Sequence, residues 1–160
     1  KMIYPVLVIT QTIPTVAIAP LLVLWMGYGI LPKIMLILLT SFFPITIGLL
    51  DGFHSVDRDM LNLLKTMGAT SFQNFIHLKL PSSLGYFFAG LRISVSYSII
   101  GAVVAEWLGG YDGLGVYMTR VRKSYSFDKM FAVIFLISGI SLLLMYFVKK
   151  IQRWCMIWEK

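Results

Sequence analysis

Four apolar runs, each close to the length of a membrane crossing, constrain this chain more than any other feature. They cover residues 6–26, 34–53, 84–108 and 130–148. A helix needs roughly 20 apolar residues to cross the hydrocarbon core of a bilayer. The runs lack the in–out alternation of a membrane barrel. Helices satisfy every backbone hydrogen bond within the segment, which lipid demands. Hydrophobic residues make up 58% of the chain and charged residues 13%, against about 25% charged in a soluble domain. That polar surface suffices for loops but not for the outside of a globule. The expectation is an all-α integral membrane protein: a multi-helix bundle with about four transmembrane helices, forming one domain over residues 1–160.

The net charge of +7 does not signal nucleic acid. Lys and Arg sit at the ends of the apolar runs, as membrane topology places them, and form no basic face interleaved with aromatics. With the loop at 57–81 inside, Lys1, Arg58, Lys65, Lys79, Lys149, Lys150, Arg153 and Lys160 fall on the cytoplasmic side. Lys33, Arg120, Arg122, Lys123 and Lys129 fall outside, and Arg92 stays within a helix. The inner excess sets this orientation and places both termini in the cytoplasm. Cys155 is the only cysteine, so a single chain can build neither a disulfide framework nor a cysteine metal site. The first run carries Pro5, Pro14 and Pro20 together with Thr10, Gln11 and Thr12. It reads first as a bent packing helix and second as the flexible wall of a pathway.

One polar stretch, residues 57–81, interrupts the apolar runs. Asp57 or Ser55 can cap a helix in which Met60, Leu61, Leu64 and Met67 recur on one face. Gly68 ends that helix, as a glycine can at C′. Thr70 with Gln73 spells a capping box for a second helix, whose apolar face is Phe72, Phe75 and Ile76. Pro81 is expected to open the next apolar segment. The result is a helix–glycine–helix hairpin showing Met, Leu and Phe at the membrane edge. Physics alone leaves two occupants for that face: lipid or a groove on a soluble partner.

Gly68, nine further residues and then Leu78-Lys79-Leu80-Pro81 resemble the cytoplasmic signature of ABC importer permeases. That signature reads Glu-Ala-Ala, three residues, Gly, nine residues, Ile, any residue, Leu-Pro. Asn62-Leu63-Leu64 stands where Glu-Ala-Ala is expected. Ile13-Pro14, Ala17 to Leu21, Leu24 to Gly29, Gly90-Leu91-Arg92, Val103 to Glu106 and Gly113-Leu114-Gly115 resemble the nitrate/sulfonate/taurine branch of that family. Glu106 to Gly109 and Tyr117 to Arg120 look most like its thiamine-pyrimidine subgroup. Sulfonate, nitrate and riboflavin stay open as solutes.

The resemblance covers nearly the whole chain and implies a type I ABC importer permease of the bacterial inner membrane, N-terminally incomplete. It implies two short cytoplasmic coupling helices that sit in a cleft of an ATP-binding subunit. The contacts would come through Met60, Leu64, Met67, Gly68, Ala69, Phe72, Phe75, Leu78, Leu80 and Pro81. It also implies a second permease subunit in a homodimer, an extracytoplasmic solute-binding protein, and alternating access driven by ATP. The chain has no phosphate-binding loop and no nucleophile–histidine–acid set. It is therefore read as no enzyme and as holding no cofactor itself, ATP and Mg being bound by the partner.

Arg92 and Glu106 are ionisable groups in or near a membrane helix, and such groups face protein, water or a pathway. They lie about 21 Å apart at helical rise and cannot pair within one helix. Each is a pathway or gate candidate beside a plainer role, anchoring for Arg92 and solvent contact for Glu106. His54 and His77 have no second metal ligand at useful spacing. Trp25, Trp107, Trp154 and Trp158 fall at run ends, as an aromatic belt places them. The third and fourth runs are expected to be joined by a loop over Gly109 to Lys129, rich in glycine at Gly109, Gly110, Gly113 and Gly115; its Arg120, Arg122 and Lys123 read as a solvated outer face or a dock for the binding protein. From another class, the alternative is a small membrane scaffold whose hairpin binds lipid.

Overall fold

The computed structural model describes residues 13–156. Its elements are helical throughout. In chain order they are α1 (Thr15–Met26), α2 (Leu31–His54), α3 (Arg58–Thr66), α4 (Ser71–Asn74), α5 (Leu80–Gly109), α6 (Leu114–Lys123) and α7 (Phe127–Cys155), with a π-helical turn over Phe75–Lys79. Three stretches are long and apolar enough to cross a membrane: Leu31–His54, Ser71–Gly109 and Phe127–Cys155. The expected first span is represented here by α1, whose 12 residues reach about 18 Å. That is short of the roughly 30 Å core. The rest of that run, with Pro5, Thr10, Gln11 and Thr12, lies outside the described residues. Pro14 does not kink a helix, as its place in that run suggested. It is the extended N-cap residue of α1, where a missing N–H costs nothing.

The tightest pairing is α2 against α5, antiparallel and built on small residues. A Cβ at Gly48 would lie 2.7 Å from the Tyr86 carbonyl oxygen, and one at Gly52 would lie 2.8 Å from Ser83. A Cβ at Gly90 would overlap the Pro44 carbonyl. Backbones come this close in lipid because packing, rather than water exclusion, drives association there. The Ser94 hydroxyl adds a bond to the Ser41 carbonyl at 2.5 Å. One apolar cluster, including Leu22, Leu36, Val104 and Ala105, ties α1, α2 and α5 together. A second, at the other end of α5, joins Phe88 to Val148 of α7. Most of α7 faces outward: Phe135 and Leu142 are both more than two-thirds exposed. A face that apolar suits hydrocarbon, not water.

The structure corrects two expectations. The second short helix is not a separate element before the third span. Through the π turn it joins α5, and the two run as one helix over Ser71–Gly109. Pro81 does fall in the first turn of α5, but no break precedes it. Proline cannot donate to the preceding turn, and here that turn is already widened, with Leu80 N–H bonding the Phe75 carbonyl five residues back. The connection between the last two spans is also not a plain loop. It contains α6, with Gly115, Val116 and Val121 buried.

Candidate functional site

The hairpin between α2 and α5 assembles from its own caps. The Asp57 carboxylate accepts the Asp59 N–H at 2.9 Å. Ser55 instead closes α2, its hydroxyl bonding the Gly52 carbonyl at 2.9 Å. Asp59 in the first turn of α3 and Lys65 in the last both complement the helix dipole. Gly68 adopts φ 83°, the left-handed conformation that glycine takes without strain. Around it the Gly68 N–H bonds the Lys65 carbonyl and the Ala69 N–H bonds the Leu64 carbonyl, both at 3.0 Å. That pair of bonds is a Schellman motif. The Thr70 N–H donates to Gln73 Oε1 at 2.8 Å, and the Gln73 N–H donates to Thr70 Oγ1 at 3.3 Å, the capping box in full.

These caps hold an apolar face away from the bundle. Met67 is 75% exposed and Phe72 71%. Met60, Phe75 and Leu80 are also exposed, while Leu64, Ala69, Leu78 and Pro81 are half-buried at the root. Leu63, which the α3 face reading passed over, is more exposed than Leu64. The root is fastened to α2 by Phe53 against Phe75, with ring centroids 5.9 Å apart.

The described residues also enclose a cleft of about 830 Å³ between α1, α2 and α5. Its walls are mainly apolar, with Thr40, Asp51, Tyr86 and Tyr97 as the polar-bearing side chains. Sequence reasoning missed Asp51. Asp51 is exposed and lies in the last turn of α2, next to the hairpin.

Neither Arg92 nor Glu106 lines this cleft. The Arg92 guanidinium donates to Gln152 Oε1 and so ties α5 to α7. Glu106 reaches across to α6, where its Oε2 accepts the Gly115 N–H at 2.6 Å. Gly113, the N-cap of α6, has no side chain to offer, and a Cβ there would overlap the Glu106 carboxylate. Glu106 therefore supplies from α5 the N-terminal cap that α6 lacks locally.

The remaining sequence candidates sit at the surface. His54 donates through Nδ1 to the Leu50 carbonyl at 2.7 Å, and His77 is exposed. Arg120 donates to the Tyr111 carbonyl at 3.1 Å, while Arg122 and Lys123 are exposed. Trp25, Trp107 and Trp154 are exposed near helix ends; Trp158 lies outside the described residues.

Three long apolar helices and an exposed capped hairpin agree with what comparison with known proteins finds. Residues 1–155 match the family model described as binding-protein-dependent transport system inner membrane component. The formylaminopyrimidine transport permease protein of Halalkalibacterium halodurans is 42% identical over 160 residues, all of this chain and 64% of that protein. A probable ABC transporter permease protein of Haemophilus influenzae is 43% identical over 142 residues, 89% of this chain and 58% of its own. The riboflavin transport system permease protein of Chloroflexus aurantiacus is 31% identical over 155 residues, 97% of this chain and 58% of its own. The chain thus spans less than two-thirds of the length of each of these relatives. It belongs to the family of binding-protein-dependent transport system inner membrane components.

Proposed function

We propose that the chain is the membrane-spanning permease part of an ATP-driven importer for a small solute, working by alternating access in the bacterial inner membrane. The observation that carries this reading is the hairpin over α3 and α4. It is rigid by its own caps, it exposes Met60, Met67 and Phe72, and it is continuous with a span. An ATP-binding subunit receives that face, ATP and Mg being bound there. An extracytoplasmic solute-binding protein meets the opposite end, where Arg120, Arg122 and Lys123 close α6. A second permease copy completes the pathway. The hairpin and both chain termini lie in the cytoplasm, following the positive-inside excess. In this reading Met60, Leu64, Met67, Gly68, Ala69, Phe72, Phe75, Leu78, Leu80 and Pro81 form the contact and its root.

The continuity of α4 with α5 gives the reading a mechanism. Closure of two ATPase subunits moves the hairpins. A hinge at Pro81 would absorb that motion, whereas one helix over Ser71–Gly109 delivers it to the α2–α5 seam. The π turn is the place where such a helix adjusts its register, and π-bulges are frequent at functional positions. Arg92 then serves to couple α5 to α7, and Glu106 to couple α5 to α6.

The full-length complex tests this. An ATPase subunit should co-purify in mild detergent and be lost on deletion of residues 57–81. Gly68→Val, which meets open space but cannot hold φ 83° without strain, should abolish solute-stimulated ATPase while the spans stay folded. Wild-type stimulation in that variant sinks the coupling role. Recovery of a permease with no nucleotide-binding partner supports the lipid-binding scaffold instead.

A further inference from the structure

We propose that the end of α7 at Lys149, Lys150 and Arg153 is a binding site for anionic phospholipid headgroups. The proposal does not depend on the importer reading; it needs only that α7 crosses the membrane. That helix runs over Phe127–Cys155 and is one of the three long apolar stretches. About 20 of its residues fill the hydrocarbon core. Counted from Phe127, the core ends close to Val148, which puts the three cations at the level of the headgroups.

The order of residues along α7 matches the layers of a bilayer. Side chains spaced four, three and four residues apart form one strip along a helix. Leu142, Tyr146, Lys149 and Arg153 make one such strip. Leu143, Phe147, Lys150 and Trp154 make the strip beside it. All eight are exposed. Each strip passes from a leucine to an aromatic ring to a lysine. Leucine suits hydrocarbon, the ring suits the interface, and lysine suits the phosphate layer. Trp154, 82% exposed, stands beside Arg153 as an interfacial anchor. Because the cations continue a lipid-facing strip, lipid is the partner this face fits.

Contacts inside the bundle fix the direction of this face. Val148 packs with Phe88 of α5, and Gln152 accepts from the Arg92 guanidinium. At 3.6 residues per turn, Lys149, Lys150 and Arg153 span about 100° of the helix surface. The centre of that arc lies about 130° round the helix from Val148 and Gln152. The acidic residue of α7, Asp128, is in its first turn, about 30 Å away at helical rise. Three like charges within little more than a turn repel one another, and a phosphate relieves that repulsion with charge-assisted hydrogen bonds. A zwitterionic headgroup brings its own ammonium and gains less, so the site discriminates by net charge.

Native mass spectrometry of the full-length permease in mild detergent, with equimolar phosphatidylglycerol and phosphatidylcholine added, tests this. One Lys or Arg at a membrane surface favours anionic lipid by about fivefold, so phosphatidylglycerol adducts should exceed phosphatidylcholine adducts by at least about fivefold. Lys149→Gln with Lys150→Gln and Arg153→Gln should bring that ratio below about twofold. Lys149→Arg with Lys150→Arg keeps the charge and should keep the ratio. Arg58→Gln with Lys65→Gln, exposed cations of α3, should also keep it. A ratio near one in the wild type, a ratio that survives the triple substitution, or an equal fall in the α3 pair overturns the proposal. Loss of ATPase-subunit retention in the triple variant, with the lipid ratio intact, would assign this face to a protein and overturn it as well.

Discussion

The two ends of α5 carry short helices held by opposite means. At the α4 end, the hairpin is closed by local devices: Asp57 on Asp59, Gly68 with its Schellman bonds, Thr70 with Gln73. Its apolar face is left free. At the other end, α6 has no local side-chain cap. It is pinned by Glu106 from α5 and seated by the buried Gly115, Val116 and Val121. A helix held by its own caps keeps its shape when displaced, whereas a helix capped by a neighbour keeps its place. The first suits an element that is gripped and moved, and the second an element that must stay registered to its span.

The harshest break of this contrast is Gly113→Ala. The residue sits at φ 133°, and the new Cβ would overlap the Glu106 carboxylate. Backbone strain of this kind costs about 1–3 kcal/mol, and displacement of the carboxylate adds to it. The expected loss is about 3 kcal/mol of unfolding free energy, read by denaturant titration in detergent, with the α3–α4 hairpin unaffected. A change below about 0.5 kcal/mol, the size of an ordinary surface substitution, would show that Glu106 and Gly113 are not packed together.

Removing the pin itself comes next. Glu106→Ala should cost about 1–2 kcal/mol, the range for a lost N-cap. Glu106→Gln, which keeps an acceptor but loses the charge, should cost about half of that. A local readout separates pinning from general destabilisation. Val121 of α6 is buried, so Val121→Cys in a background with the exposed Cys155 replaced by serine should resist maleimide. Glu106→Ala should make it label, with Gln intermediate. Equal protection in all three would mean that α6 is held by packing alone.

The same contrast explains what could be read in advance. Thr70, Gln73, Gly68 and Asp57 act on neighbours within a few positions, so the hairpin was legible residue by residue. Glu106 caps a helix nine residues on through a tertiary contact, and nothing local marks it. The glycine-rich stretch after α5 therefore read as a loop and concealed α6. The small-residue seam of α2 and α5 was hidden for a related reason: Gly48 and Gly90 announce no partner until the backbones are placed. The join of α4 to α5 reversed a sound local rule. Pro81 signals a helix start, and the widened turn before it removes the need for a break.

The smallest effect on folding should come from the hairpin's exposed face, and it sharpens the comparison most. Met67 and Phe72 are so exposed that their burial contributes little to the fold, because hydrophobic stabilisation scales with area removed from water. Met67→Ser combined with Phe72→Ser should therefore shift unfolding by no more than about 0.5 kcal/mol. If the hairpin docks on an ATPase subunit as proposed, retention of that subunit in mild detergent should nevertheless fall steeply, because apolar anchors at the centre of an interface dominate its affinity. Liposome co-sedimentation of the isolated hairpin peptide supplies the opposing arm. If the double substitution abolishes lipid binding and leaves ATPase retention intact, the hairpin face belongs to the bilayer. The contrast between a gripped element and a pinned one would then fail at its mobile end.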